Sequence, residues 1–356
     1  MKTPSISVLI DTYNHERYIE QAIVSVLEQD FPQSEMEIFV VDDGSTDGTP
    51  SLVQKFGSRV GFIRKKNGGQ ASAFNAGIAA VHGRIVAFLD GDDWWVKDKL
   101  LAVAEAFEAN PGIAAVGHGY FEVFDTEPPR EMFVAEKTSL LDVSSPDAAR
   151  IADAGLTLLG TSRLSVRRTL LARIGPIPES LVFCADAPIF TFALAFGGAL
   201  ILERPLCYYR RHSDNLYAPR KSNPDARRRA VDTLGFLLSY VPPRLLEFGV
   251  SPEIVEALTE SARIEFERAR LELGEGRRWS VFRTELQRFR TEYRRASAGY
   301  LLFEFLVGAC ALILPPQRFY RLRSWYGRNN VRRFRDLLGK AEPKIPPSLF
   351  QRRPVL

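Results

Sequence analysis

The sequence predicts an α/β fold, a mostly parallel sheet flanked by helices, with an α-helical extension after it. Two observations carry this reading. In the first 90 residues short, fully apolar strands alternate with segments of helical periodicity, the pattern of a parallel sheet covered on both faces. After residue 220 apolar residues recur only at three- and four-residue spacing. With 356 residues, 46% hydrophobic and 25% charged, the chain has the length of one large domain plus an extension.

The elements follow in order. Ile6-Ser7-Val8-Leu9-Ile10 reads as a strand, and from residue 16 to 29 Ile19, Ala22, Ile23, Val26 and Leu27 share one helical face. Pro32 stops that helix. Residues 37–41 form a second strand, 42–49 a turn rich in helix-capping residues, and 50–56 a helix. A third strand over 60–63 leads through the loop 65–70 to a helix over 71–81, which ends at Gly83 before a fourth strand, Ile85-Val86-Ala87-Phe88-Leu89. Asp93 reads as the N-cap of a helix over 94–109.

In a parallel sheet, ligands bind beyond the carboxyl ends of the strands. Three strands here end in Asp11-Thr12-Tyr13-Asn14, Asp42-Asp43-Gly44-Ser45 and Asp90-Gly91-Asp92-Asp93, so these loops are expected to share one rim. Three carboxylates directly after a buried strand are costly unless a cation is bound. Oxygen ligands at this spacing suit Mg²⁺ or Mn²⁺, which in turn holds a diphosphate. Asx-turns and helix caps explain each loop alone. Their convergence is what points to a site.

Charge is asymmetric. Residues 1–219 carry 20 Lys and Arg against 28 acids, and residues 220–356 carry 27 against 15. An acidic front and a basic back imply two modules, 1–219 and 220–356, with different partners. Three scattered cysteines exclude a disulfide framework or a zinc site, and the N-terminus lacks the regions of a signal peptide, so a cytoplasmic protein is expected.

Taken together, ISVLIDTYN at 6–14, VVDDGSTDGT at 40–49, Asn75-Ala76-Gly77 and FLDGDDW at 88–94 resemble the inverting family-2 glycosyltransferases of the GT-A fold, over roughly the first 215 residues. The resemblance implies a nucleotide-sugar donor, usually a UDP- or dTDP-sugar, and a divalent metal. Carried over by position, Thr12 and Tyr13 border the nucleobase and Asp43 binds base or ribose. Asp92 is the direct metal ligand, with Asp90 facing the nucleotide or sharing the metal. Asp11 stands where the family commonly has Pro. The family's catalytic base, an Asp about a hundred residues beyond the metal motif, corresponds to Asp186 in Phe183-Cys184-Ala185-Asp186, with Ala185 replacing the usual Glu. Thr161 and Ser162 are expected to meet the acceptor. In Tyr208-Tyr209-Arg210-Arg211-His212, Arg211 is assigned to the diphosphate and His212 to the metal. The basic loop Arg64-Lys65-Lys66 offers Lys66 to the nucleotide, or is a solvated loop. His15, His82 and His118 show no partner in the sequence.

The implied partners are a nucleotide-sugar donor and a saccharide or lipid-linked acceptor, in cell-surface polysaccharide or glycolipid assembly, without nucleic acid. Helices are expected over 226–240, 252–273 and 279–295. The apolar run 299–314 with Pro315-Pro316 and the Arg- and aromatic-rich stretch after it is expected to lie on an anionic membrane surface through 299–335 or to form a helical core. As a helix its 16 residues reach about 24 Å, short of a bilayer core. Two other readings stand: a silent sugar-nucleotide binding module, suggested by Ala185, and a nucleotidyl-transferring polymerase, since Gly91-Asp92-Asp93 matches a polymerase triplet. A polymerase triplet sits in a hairpin, whereas a helix after Asp93 argues against one.

Overall fold

The computed structural model describes residues 5–124, 127–132, 137–143, 159–212, 215, 224–292 and 305–328; for 127–132, 224–226, 288–292 and 324–328 the backbone alone is described. The chain divides into two compact units. One holds the described residues up to Asn215 with Val241–Leu258, and the other holds 224–240 with the described residues from Thr259 on.

The first unit opens with the expected alternation: β1 (Ile6–Thr12), α1 (Ile19–Leu27), β2 (Met36–Asp42), α2 (Thr49–Gln54), β3 (Gly61–Arg64), α3 (Gln70–Ala80) and β4 (Ile85–Asp90). Then come β5 (Trp94–Trp95), α4 (Lys99–Ala109), β6 (Ala115–Phe124), β7 (Glu127–Met132), β8 (Ser139–Leu141), β9 (Ser165–Arg167), α5 (Arg168–Ile174), α6 (Asp186–Phe196) and β10 (Ala199–Arg211). The sheet runs β3-β2-β1-β4-β9-β6-β10-β5, with β7 beside β6 and β8 beside β10. β1 pairs in parallel with β2 and β4, and β2 with β3. Beyond β4 the sheet becomes mixed: β9 is antiparallel to both β4 and β6, while β6 and β10 are parallel.

The apolar strands are buried as the pattern requires. Ile6, Val8, Ile10, Val40, Ala87 and Leu89 pack with Ile19, Ile23 and Val26 of α1 and Leu100 and Val103 of α4 in one core. Phe74 and Phe88 meet between α3 and β4 at a centroid distance of 4.8 Å.

The helix expected over 94–109 begins instead at Lys99. Trp94 and Trp95 form β5, paired antiparallel with Tyr208 and Cys207. Adjacent bulky aromatics suit a pleated strand that sends them to opposite faces. Trp95 enters the core, and Trp94 stacks on Tyr208 at 4.8 Å. Asp93 therefore caps no helix; its Oδ1 accepts the Arg210 N–H at 2.9 Å. Downstream, α6 starts at Asp186 itself.

The remaining helices are α7 (Pro224–Glu247), α8 (Pro252–Glu272), α9 (Arg278–Glu292) and α10 (Pro316–Arg328). The expected helix over 226–240 continues through Pro242 and Pro243. Within the first unit, Arg244 donates to the Ile174 carbonyl at 3.0 Å and Phe248 packs edge-on against Phe192 and Phe196. Within the second unit, Leu271, Val281, Ala311, Phe319 and Tyr320 form a small core. Residues 299–304 of the apolar run, and 329–335 of the expected membrane-facing stretch, lie outside the described residues. The described remainder of the run contains a short 3₁₀ turn, Cys310–Leu312. Among the described residues no helix is long and apolar enough to cross a membrane.

Candidate active site

Strand register creates the site. β1 pairs with β4 so that Asp11 lies beside Asp90, and with β2 so that Thr12 lies beside Asp42. Neighbouring strands stand about 4.8 Å apart, so the acids at three strand ends must crowd one rim. Gly91 makes the crossing possible, because a Cβ there would come within 2.7 Å of Thr12 Oγ1 and 2.9 Å of His15 Nδ1.

Asp90, Asp92 and Asp93 bring carboxylate oxygens within 4.8 Å of one another. Burial, then repulsion from Asp11 and Asp92, pushes the Asp90 carboxyl well above the ordinary range; burial and Asp92 do the same to Asp11. Burial and Asp92 push Asp93 up to about 7. Asp92 goes the other way. Burial opposes its ionisation, but the His212 hydrogen bond and the two nearby imidazoles outweigh it. Its Oδ2 meets His212 Nε2 at 3.0 Å, Asn215 Nδ2 at 3.1 Å and His15 Nε2 at 3.9 Å. Asp11 Oδ1 is buried without a hydrogen-bond partner. An all-oxygen cluster with repelling carboxylates and an orphaned buried oxygen fits a hard divalent cation.

At the end of β2, the buried Asp43 carboxylate gathers the loop before α3. Its Oδ1 accepts from Lys65 Nζ at 2.8 Å and Gly68 N at 3.0 Å, and its Oδ2 from Gly69 N at 2.7 Å. The cation at Asp43 is thus Lys65, while the Lys66 side chain is exposed. Thr12 is buried and its Oγ1 lies 3.2 Å from His15 Nδ1; Tyr13 is 42% exposed on the rim.

Across the sheet, Asp186 opens α6. Its Oδ2 accepts the Thr161 backbone N–H at 2.9 Å and the Thr161 hydroxyl at 3.2 Å, and burial raises its carboxyl. Cys184, two residues earlier, is held at φ +58°, a left-handed conformation rare for a side-chain-bearing residue. Ser162, expected to meet an acceptor, is buried and faces the acids. Its Oγ accepts the Asp90 N–H at 3.1 Å, and its carbonyl accepts Lys99 Nζ at 2.8 Å and Trp95 Nε1 at 3.0 Å. Lys99 is fully buried, and that burial depresses its pKa.

The end of β10 divides its two cations between different partners. Arg211 pairs with Glu122 and lies over the Tyr209 ring. Arg210 faces the acid loop: its Nε donates to the Asp92 carbonyl at 3.0 Å, and its guanidinium lies 4.7 Å from the Tyr18 ring centroid and 4.5 Å from that of Trp94. His212 is brought to Asp92.

Sequence reasoning assigned no role to His15, Asn215, Arg210 or Gln70. Asn215 had a faint signal, an Asx residue three places after His212, whose N–H its Oδ1 accepts at 2.7 Å. Gln70 had none. Its Nε2 donates to Asp90 Oδ1 at 3.2 Å and to Thr161 Oγ1 at 3.3 Å, contacts that span 20 and 91 residues of sequence.

Comparison with known proteins agrees with this geometry. Residues 7–157 match the family model described as glycosyl transferase family 2. An uncharacterized glycosyltransferase of Nostoc sp. is 32% identical over 243 residues, covering 63% of this chain and 71% of the relative. The putative teichuronic acid biosynthesis glycosyltransferase TuaG of Bacillus subtilis is 45% identical over 101 residues, 27% of this chain and 39% of TuaG. Among solved structures, residues 1–349 of Staphylococcus aureus TarS superpose with a TM-score of 0.53 at 18% identity, covering 90% of this chain and 92% of that one, and a second TarS structure, in complex with UDP-GlcNAc, scores the same at 19%. TarS thus shares the fold. The motifs, the rim they build and these relatives agree: the chain is a glycosyltransferase of family 2, with the GT-A fold.

Proposed function

We propose that this enzyme transfers a sugar, with inversion, from a nucleoside-diphosphate donor to a hydroxyl or phosphate acceptor. The observation that carries the reading is the facing arrangement of Asp90, Asp92 and Asp93 with Asp186. One group suits a metal–diphosphate, and the other suits an acceptor proton. Asp92, with Asp90 and beside His212, would hold Mn²⁺ or Mg²⁺, which when bound offsets charge on a departing nucleoside diphosphate. Thr12, Tyr13 and Asp43 border the nucleoside. Asp186, raised by burial and bonded through Oδ2 to Thr161, has Oδ1 to take the acceptor proton. A single base on the acceptor side accords with inversion, by analogy with inverting glycoside hydrolysis. TarS, solved with UDP-GlcNAc, supports a UDP-sugar donor, and the name of TuaG supports a surface-polysaccharide acceptor.

The polymerase reading loses its geometry in a new way. β5 pairs with β10 rather than turning back on β4, so the triplet is not at a hairpin tip. A thermal-shift screen with UDP-, dTDP- and GDP-sugars tests the donor. UDP-sugars with Mn²⁺ are expected to raise Tm by several degrees and EDTA to abolish the shift; a shift with GDP-sugars alone would remove the UDP assignment.

For the second unit we propose a peripheral seat on anionic membrane, on the cytoplasmic face. Leu306 and Ile313 are 56% and 74% exposed, and exposed Arg318, Arg321 and Leu322 follow on α10. Each cation near an anionic leaflet contributes about 1 kcal/mol. Co-sedimentation with vesicles containing anionic lipid, lost in 0.5 M salt and in Arg318→Glu/Arg321→Glu, is the expected outcome. Equal binding to neutral vesicles would contradict it.

A further inference from the structure

The N-terminus of α3 is where the nucleoside loop, the metal motif and the acceptor helix meet, and one side chain touches two of these elements. Gln70 donates through Nε2 to Asp90 Oδ1 at 3.2 Å and to Thr161 Oγ1 at 3.3 Å, and accepts through Oε1 the Ala185 N–H at 3.0 Å. The amide orientation is not arbitrary. A backbone N–H only donates, so Ala185 requires the oxygen, and this turns the NH₂ toward Asp90.

The bond directions then follow in sequence. The Thr161 hydroxyl accepts from Gln70 and uses its own proton toward Asp186 Oδ2 at 3.2 Å. A chain of hydrogen bonds therefore joins the Asp90 carboxylate to the Asp186 carboxylate through Gln70 and Thr161.

The backbone holds this chain in place. Gln70 N donates to the Val182 carbonyl at 3.0 Å and Ala71 N to the Leu181 carbonyl at 3.2 Å. Gly69 permits the approach: it sits at φ +84°, and a Cβ there would lie 2.6 Å from Val182 Cα. One residue earlier the chain is gripped by Asp43 through the Gly68 and Gly69 N–H groups. The residues that border the nucleoside thus lie next in line to the one that fixes the acceptor helix.

We infer that Gln70 is a positioning residue that couples the donor end of the site, at Asp90, to the orientation of the base Asp186. Its amide keeps the Thr161 proton on Oδ2, which leaves Oδ1 turned to the acceptor. This rests on the glycosyl-transfer reading above.

The test compares wild type, Gln70→Ala, Gln70→Glu, Thr161→Val and the Gln70→Ala/Thr161→Val double variant, all full length and checked by Tm. Gln70→Glu keeps the volume and the acceptor for Ala185 but loses the donors. Calorimetry with UDP and Mn²⁺ reads the donor end, and UDP release from UDP-sugar reads turnover. In both Gln70 variants kcat is expected to fall roughly 10–100-fold, the usual cost of losing a group that orients a functional ligand. UDP–Mn²⁺ affinity and KM should stay within about threefold of wild type, and the double variant should be no slower than the worse single one.

Unchanged kcat in folded Gln70→Ala or Gln70→Glu would overturn the inference. So would UDP–Mn²⁺ affinity that falls in step with kcat, since that marks a general collapse of the site. A wild-type protein that neither binds UDP–Mn²⁺ nor releases UDP would instead remove the UDP-donor reading on which the inference rests, and the two failures are distinct.

Discussion

Asp92→Asn is expected to lower sugar transfer by about 10²–10³-fold while leaving the fold intact. The substitution keeps the side-chain volume but removes the charge beside His15, His212 and Asn215. Loss of a positioned electrostatic stabiliser of a departing anion costs about 3–4 kcal/mol, and each 1.36 kcal/mol is a factor of ten in rate. Stability should fall modestly, because the His212 hydrogen bond and the two imidazoles hold the Asp92 carboxyl below its ordinary range, so the fold favours its ionised form, although relief of repulsion on Asp11 and Asp90 offsets part of the loss. A folded variant with a somewhat lower Tm and lost Mn²⁺-dependent nucleotide binding is the expected pair of results. Full activity in Asp92→Asn would remove the metal assignment.

Asp186→Asn should affect a different parameter. An amide oxygen at the same position still accepts from Thr161, so the start of α6 is preserved, but the proton acceptor is gone. General-base catalysis contributes roughly 10²–10⁴-fold, so kcat should fall by that factor with UDP-donor affinity nearly unchanged. The wild-type pH profile carries the same signature. Burial raises the Asp186 carboxyl, with Thr161 and Arg163 pulling the other way. The base works only when deprotonated, so activity should fall as pH drops through a value above the ordinary carboxylate range. An acidic limb at or below that range, or an Asp186→Asn variant retaining more than a tenth of wild-type kcat, would transfer the base role elsewhere.

The parallel half of the fold was legible because β1, β2 and β4 are buried on both faces, so their apolar runs and terminal acids stand out in sequence. The rim followed from that alone. What sequence could not show was register: that Asp11 is the β-neighbour of Asp90 depends on pairing between strands 79 residues apart. β5 was missed because two tryptophans after an acidic turn also suit a helix, and only pairing with Tyr208 and Cys207 decides for a strand. Two cations beside the acids were not singled out, Lys65 at Asp43 and Arg210 at the Asp92 carbonyl. Arg210 and Arg211 end β10, where adjacent side chains point to opposite faces, so neighbours in sequence meet different partners. The family motif drew attention to Asp186, which the structure places against Thr161; Gln70, an ordinary residue at a helix start, stands out only through contacts distant in sequence.

The most direct measurement is anomalous diffraction from crystals grown with Mn²⁺ and UDP. A single strong peak is expected at bonding distance from a carboxylate oxygen of Asp92 and from the diphosphate, with the uracil against Thr12, Tyr13 and the Asp43 loop. UDP bound with no manganese at Asp92, or manganese held by residues outside the Asp90–Asp93 turn, would contradict the assignment of this rim as the donor site.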